Sequence, residues 1–183
     1  MRYVKKDLQI SPTSPKDCCG YYYTKKRNPA QHATDLLSQD IIANKKGKAF
    51  ASERIAKRMA NDLQANTWDF ELIIPVPNYK TDQSNVKAPL LARNLSDIIS
   101  IPYQNDVLVR IANSSRRYFG VTQRREAAKK DYRINDYSQI KDRNVLLIDD
   151  IRTSGATIEV CRDLLYQYGA KKVYIFVAAR TLR

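Results

Sequence analysis

Apolar residues recur along this chain with two different periods, and each change of period marks an element. In "SERIAKRMANDL", Ile55, Met59 and Leu63 fall four residues apart. That spacing predicts a helix with one buried face and Ser52 as its cap. "FELIIPVP" is a short apolar run stopped by Pro75 and Pro77, and predicts a strand. "NYKTDQSNVK" then predicts a polar loop. Leu90, Leu91, Leu95, Ile98 and Ile99 form the stripe of another helix, with Pro89 tolerated in its first turn. "NDVLVRI" predicts a strand, and residues 113–133 predict a mobile loop running into a helix. "NVLLID" is apolar at successive positions rather than alternating, as in a strand of a parallel sheet buried on both faces. We expect it to end near Ile148. "ATIEVCRDLLYQYG" predicts a helix with Val160, Cys161, Leu164, Leu165 and Tyr168 inward and Gly169 closing it. "KKVYIFVAA" predicts a last strand.

The first 30 residues are rich in Pro, Lys and Tyr and read as an extended arm, followed by a short helix and basic turn in "ATDLLSQDIIANKKGK". We therefore divide the chain into an N-terminal arm or hood, residues 1–49, and an α/β domain, residues 50–183. Alternating apolar strands and helices predict a parallel sheet flanked by helices. Such sheets bind ligands beyond the carboxyl ends of their strands. The loops 77–85 and 149–155 both leave those ends.

Composition adds a sign. There are 32 Lys and Arg against 19 Asp and Glu, a net charge of +13. That balance favours anionic partners such as phosphates, nucleotides, nucleic acid or an anionic membrane surface, without choosing among them. No apolar stretch approaches the roughly 18 residues needed to span a bilayer, and the N-terminus has no apolar core for a secretory signal. The three cysteines, Cys18, Cys19 and Cys161, are a poor disulfide framework and fit a reducing cytoplasm. With one histidine and no C-x-x-C spacing, a zinc site is not expected.

Against this basic background, "VLLIDDIRTSGAT" (residues 145–157) joins two acids at the end of an apolar strand to a hydroxyl-rich loop that opens a helix. The first N–H groups of that helix lack internal partners and carry its positive dipole end. Gly155 lets an anion approach the backbone, and Thr153, Ser154 and Thr157 add hydroxyl donors. Together they suit a phosphate. Asp149 and Asp150 suit sugar hydroxyls or a bound cation. Their alternation along the strand points them to opposite faces. A plain helix cap would explain one Asp, not two. The metal-binding strand of nucleotide triphosphatases would require G-x-x-x-x-G-K-[ST], which is absent. Acid pairs of phospho-acceptor receiver domains follow the first strand, whereas this one lies in the last quarter of the chain.

The same stretch resembles the phosphoribosyl pyrophosphate (PRPP) motif of the type I phosphoribosyltransferases. "IIPVPNYK", "APLLARNLSDIISIP" and "LVR" resemble the corresponding segments of the ComF-like (competence protein F-like) subgroup. The fold class implied is a type I phosphoribosyltransferase-like α/β sheet with a small N-terminal hood. The resemblance assigns the ribose hydroxyls of PRPP to Asp149 and Asp150, and the 5-phosphate to Thr153, Ser154, Gly155, Ala156 and Thr157. It assigns pyrophosphate to Asn78, Tyr79 and Lys80. Mg2+ would bridge pyrophosphate and ribose oxygens, meeting Asp149 and Asp150 indirectly through PRPP and water. A mobile loop at 111–124 would close over the reaction centre, with Arg116 and Arg117 as its catalytic donors. Two positions depart from the ComF-like pattern. Gln83 to Val86 stands where Arg-Gly-Phe-Asn is usual, and Ala128 stands where an Asn follows Arg125. The subgroup's N-terminal zinc module is absent.

Two functions follow. One is a cytoplasmic transferase that moves the phosphoribosyl group of PRPP to an unidentified nitrogenous acceptor and releases pyrophosphate, as a homodimer in many type I enzymes. The other is a catalytically silent PRPP- or nucleotide-binding protein of the same fold. Such a protein would act in nucleic-acid binding, DNA uptake or regulation through the basic stretch between Arg110 and Arg133.

Overall fold

A computed structural model describes residues 17–78, 87–114 and 120–181. The elements run β1 (Tyr21–Tyr22), α1 (Pro29–Thr34), α2 (Leu36–Lys45), α3 (Ala49–Gln64), β2 (Leu72–Pro75), α4 (Lys87–Ile99) and β3 (Leu108–Arg110). They continue with α5 (Val121–Asp131), β4 (Tyr132–Ile134), β5 (Asn144–Arg152), α6 (Ala156–Gln167) and β6 (Lys172–Thr181). The main sheet is parallel, in the order β1-β6-β5-β2, and Tyr103 bridges Ile73 beyond β2.

The unbroken apolar run of β5 follows from its position between two helical layers. Val145 and Leu147 pack on one face with Ile158, Cys161 and Leu165 of α6. Leu146 and Ile148 pack on the other with Ile55 and Met59 of α3 and Leu91 and Leu95 of α4. All four strand residues are fully buried. A strand covered on both sides has no solvent face to mark by polar alternation.

The structure departs from the sequence reading in four places. β5 continues to Arg152, pairing Ile151 with Ala179 and Arg152 with Arg180, so Asp149 and Asp150 lie within the strand. Only Leu108–Arg110 of "NDVLVRI" is extended; it pairs antiparallel with β4 in a separate ribbon instead of joining the main sheet. Helix α3 begins at Ala49 with Lys48 at its N-cap, and Ser52 is buried, accepting a hydrogen bond from the Asn94 side chain at 3.1 Å. Tyr168 follows the last turn of α6, so it leaves the apolar stripe and is 41% exposed. The positive φ of Gly169, 96°, is the left-handed turn expected after a helix.

The N-terminal segment is stitched onto the carboxyl end of the sheet. β1 pairs Tyr21 with Arg180 and Tyr22 with Thr181, and α2 packs on α3 through Leu37 and Ile41. Arg54 of α3 forms an ion pair with Asp40 of α2.

Leu146 anchors the centre of this arrangement. Leu146→Ala should lower unfolding free energy by about 2–5 kcal/mol in denaturant titration. A change under about 0.5 kcal/mol, the range of ordinary surface substitutions, would contradict its placement between the layers.

Candidate active site

β2 and β5 are neighbours in register, Pro75 beside Ile148, so the segments that follow them emerge together. The Val76 N–H donates to the Ile148 carbonyl at 2.9 Å, extending the pairing toward Pro77 and the half-buried Asn78. Tyr79 and Lys80 lie outside the described residues, as do Gln83 to Val86. On the β5 side a small open cleft of about 60 Å³ is lined by Asp149, Ile151, Arg152, Thr153, Ser154, Gly155, Thr157 and Ile158. The structure thus brings Asp149 together with four of the five loop residues expected to hold phosphate. The fifth, Ala156, is buried as the first residue of α6.

The loop geometry explains its residue types. Gly155 is the N-cap of α6 and has φ 83°, a left-handed conformation that costs other residues about 1–2 kcal/mol. A Cβ there would also approach Glu159 Oε1 to 2.9 Å and Arg152 Nε to 3.0 Å. The Ser154 hydroxyl accepts from the Ala156 N–H at 3.5 Å, a weak and displaceable cap. The turn therefore presents backbone donors at a helix start, where an anion is favoured.

The surroundings of Asp149 work against its ionisation. The Asp150 N–H donates to Asp149 Oδ1 at 2.8 Å, and the Ile151 N–H donates to Asp150 Oδ1 at 2.7 Å. These bonds do not offset the surroundings. Burial holds the Asp149 carboxyl well above the usual carboxylate range, and the neighbouring Asp150 charge pushes the same way. Opposite faces of the strand have not removed the repulsion.

Two residues of the N-terminal segment also belong here, and no local pattern marked them. The Lys45 charge opposes the rise at Asp149, and its Nζ lies 5.2 Å from the centre of the Tyr22 ring. The Tyr22 hydroxyl is pushed up by burial and by the Asp150 charge. Tyr22 and Lys45 lie more than 100 residues from the acids, so only the fold could reveal them.

Arg116 and Arg117 lie outside the described residues. The base of their loop is tied down: fully buried Asp131 accepts from the Ser114 hydroxyl at 2.6 Å and from its N–H at 3.2 Å. Arg110 lies 3.6 Å from the same carboxylate. Arg125 pairs with Asp163 of α6 at 2.8 Å, and Ala128 is core.

No group of three or more His, Cys, Asp or Glu side chains is placed to hold a metal among the described residues. The acid pair fits a magnesium ion that keeps its waters and is held mainly by a ligand's phosphates, the habit of this hard cation.

Because its folded-state pKa lies above the ordinary value, ionised Asp149 costs the ligand-free protein stability as pH rises through that raised pKa. Asp149→Asn should therefore raise the melting temperature of the ligand-free protein near pH 7.5. The gain should shrink as pH falls toward the ordinary carboxylate range. A lowered melting temperature at pH 7.5 would refute the strained pair. Gly155→Ala should cost about 1–2 kcal/mol in denaturant titration.

The comparisons with known proteins agree with this architecture. Residues 38–182 match the model of the phosphoribosyl transferase domain. The chain is 29% identical over 137 residues to an amidophosphoribosyltransferase of Haemophilus influenzae, covering 72% of this chain and 24% of that one. It is 30% identical over 115 residues to competence protein F of the same organism, covering 60% of this chain and 50% of that one. It thus spans from a quarter to half of these relatives. Among solved structures it is similar to the glutamine PRPP amidotransferase of B. subtilis complexed with ADP and GMP. That likeness has a TM-score of 0.50 and 18% identity, and covers 71% of this chain and 26% of the other. With its acid pair, its glycine-capped helix start and a family match across most of its length, the chain belongs to the phosphoribosyl transferase domain family.

Proposed function

We propose that this chain is a ComF-like phosphoribosyltransferase. It takes PRPP, transfers the phosphoribosyl group to a nitrogenous acceptor and releases pyrophosphate. The observation that carries this reading is Asp149, buried and pressed by the adjacent Asp150 charge, lining a cleft with a helix start shaped for phosphate. A ribose diol brings hydroxyl donors to the acids, and its 5-phosphate brings charge to the loop, so one ligand relieves both halves.

In this reading Asp149 and Asp150 accept from the ribose hydroxyls. Thr153, Ser154, Gly155, Ala156 and Thr157 hold the 5-phosphate. Asn78, Tyr79 and Lys80 hold the pyrophosphate. Magnesium, when bound, would screen the pyrophosphate charge and ease its departure. The acceptor nitrogen attacks the anomeric carbon as the bond to pyrophosphate breaks. Positive charge then develops on the sugar ring, close to two fixed carboxylates, which stabilise it without reorganising. Arg116 and Arg117 meet the negative charge that builds on the leaving group. Tyr22 and Lys45 approach the acids from the N-terminal segment.

The silent, nucleic-acid-binding alternative draws less support. Within its basic stretch Arg110, Arg125 and Lys129 are engaged by Asp131, Asp163 and Glu126. The three cysteines are buried thiols, which suits a reducing cytoplasm.

Calorimetric titration with PRPP, with and without Mg2+, tests the donor. The Asp149→Asn, Asp150→Asn double variant should lose at least about a hundredfold in affinity, the scale of two charge-assisted hydrogen bonds. Unchanged affinity would remove the site assignment. A screen of nucleobases and ammonia for pyrophosphate release then tests turnover. PRPP binding without release from any acceptor would favour the silent alternative.

A further inference from the structure

Arg152 occupies one of the two positions between the acid pair and the hydroxyl loop, and the sequence pattern gives it no role. The structure turns its side chain back over the start of α6. A Cβ at Gly155 would lie 3.0 Å from Arg152 Nε and 3.3 Å from Nη2, so the guanidinium rests against the backbone that opens the helix. It lines the cleft together with Thr153, Ser154, Gly155 and Thr157. Its side chain is 25% exposed, so it reaches that cleft without being sealed in the core.

Two carboxylates hold it loosely. Nη1 lies 3.4 Å from Asp17 Oδ2, and Nη2 lies 3.4 Å from Glu159 Oε1. Good guanidinium–carboxylate bonds are about 2.7–2.9 Å, so neither partner engages Arg152 fully. Asp17 is also bound by Arg180, which already balances its charge. Glu159 sits in the first turn of α6, and its carboxylate approaches the same space over Gly155. Left alone, that carboxylate would repel a phosphate there.

We propose that Arg152 is an additional ligand of the 5-phosphate, drawn from Glu159 to the phosphate when substrate binds. The proposal rests on the reading of this loop as the phosphate site. Backbone N–H groups and hydroxyls supply partial charges only. A planar guanidinium adds a full charge and two parallel donors, the geometry that matches a phosphate monoester. Until substrate binds, its contact with Glu159 shields that carboxylate from the cleft, so the site should favour 5-phosphorylated over unphosphorylated sugars. The bland alternative is a strut. Arg152 would then tie Asp17 of the N-terminal segment to the strand and touch no ligand.

Calorimetry on the full chain separates them, with ribose 5-phosphate, PRPP and magnesium pyrophosphate as probes. Arg152→Ala should weaken ribose 5-phosphate and PRPP by about ten- to a hundredfold and leave pyrophosphate unchanged. Arg152→Lys should fall between, because it keeps charge but not the fork. Glu159→Gln should tighten ribose 5-phosphate about two- to fivefold, and should recover part of the loss when added to Arg152→Ala. Equal affinity of wild type and Arg152→Ala for ribose 5-phosphate would overturn the proposal, as would an equal loss for all three probes. Should Arg152→Ala fail to fold, unchanged affinity in both Glu159→Gln and Arg152→Lys would overturn it. A wild-type chain that binds neither ribose 5-phosphate nor PRPP would instead refute the phosphate-site reading.

Discussion

The Asp149–Asp150 pair is the constraint around which the carboxyl end of the main sheet is arranged. Two half-buried carboxylates continue a strand whose preceding residues are covered on both faces, and burial raises the Asp149 pKa before the neighbouring Asp150 charge adds repulsion. Evolution could have ended β5 earlier and let solvent take the charge. Instead β5 continues to Arg152 against β6, and the backbone of that extension supplies the N–H groups that hold each acid's orientation. The acids are fixed in place by their own backbone.

Cations and donors reach them from two directions. Lys45 and Tyr22 approach from the N-terminal segment, and the helix start of α6 lies just beyond on the same strand. Exposed Lys25, Lys26 and Arg27 follow β1, and exposed Lys46 and Lys48 follow α2, so basic turns extend from the segments that carry Tyr22 and Lys45. The basic residues of α5 behave differently. Arg125 and Lys129 are engaged in ion pairs of 2.8 Å, one of them bracing α5 on α6. A single net charge thus divides into residues engaged in ion pairs and exposed residues in the turns of the N-terminal segment.

The candidate site was legible in the sequence where its chemistry is local. Asp149 to Thr157 are nine consecutive residues, and the strand–turn–helix that presents them is written in their own apolarity, glycine and hydroxyls. The buried stripes of α3 and α4 were legible for the same reason, since Ile55, Met59, Leu91 and Leu95 repeat at helical spacing. What was hidden depends on distant partners. The extension of β5 past Ile148 comes from pairing with Ala179 and Arg180, not from anything in "DDIR". Ser52 has the chemistry of a cap, but it is buried one turn inside α3, where Asn94 of α4 uses its hydroxyl. β4 carries too few apolar residues to announce itself and exists because β3 offers it an edge. Tyr22, Lys45 and Asp17 reach the site across more than 100 residues of chain.

Arg152 shows how the two kinds of information meet. Its position in the motif is local, but its direction is set by Asp17, brought from the far end of the chain by the bridge between Cys18 and Val177. Glu159 holds the other nitrogen from within the helix that the phosphate would cap. A cation placed between two carboxylates at contacts of 3.4 Å gives up little when a dianion arrives, because each old bond is weaker than the new one. A tightly paired arginine would have been a poor ligand, and an unpaired one would have lost orientation. Loose pairing keeps the guanidinium aimed at the cleft while leaving most of its charge available there.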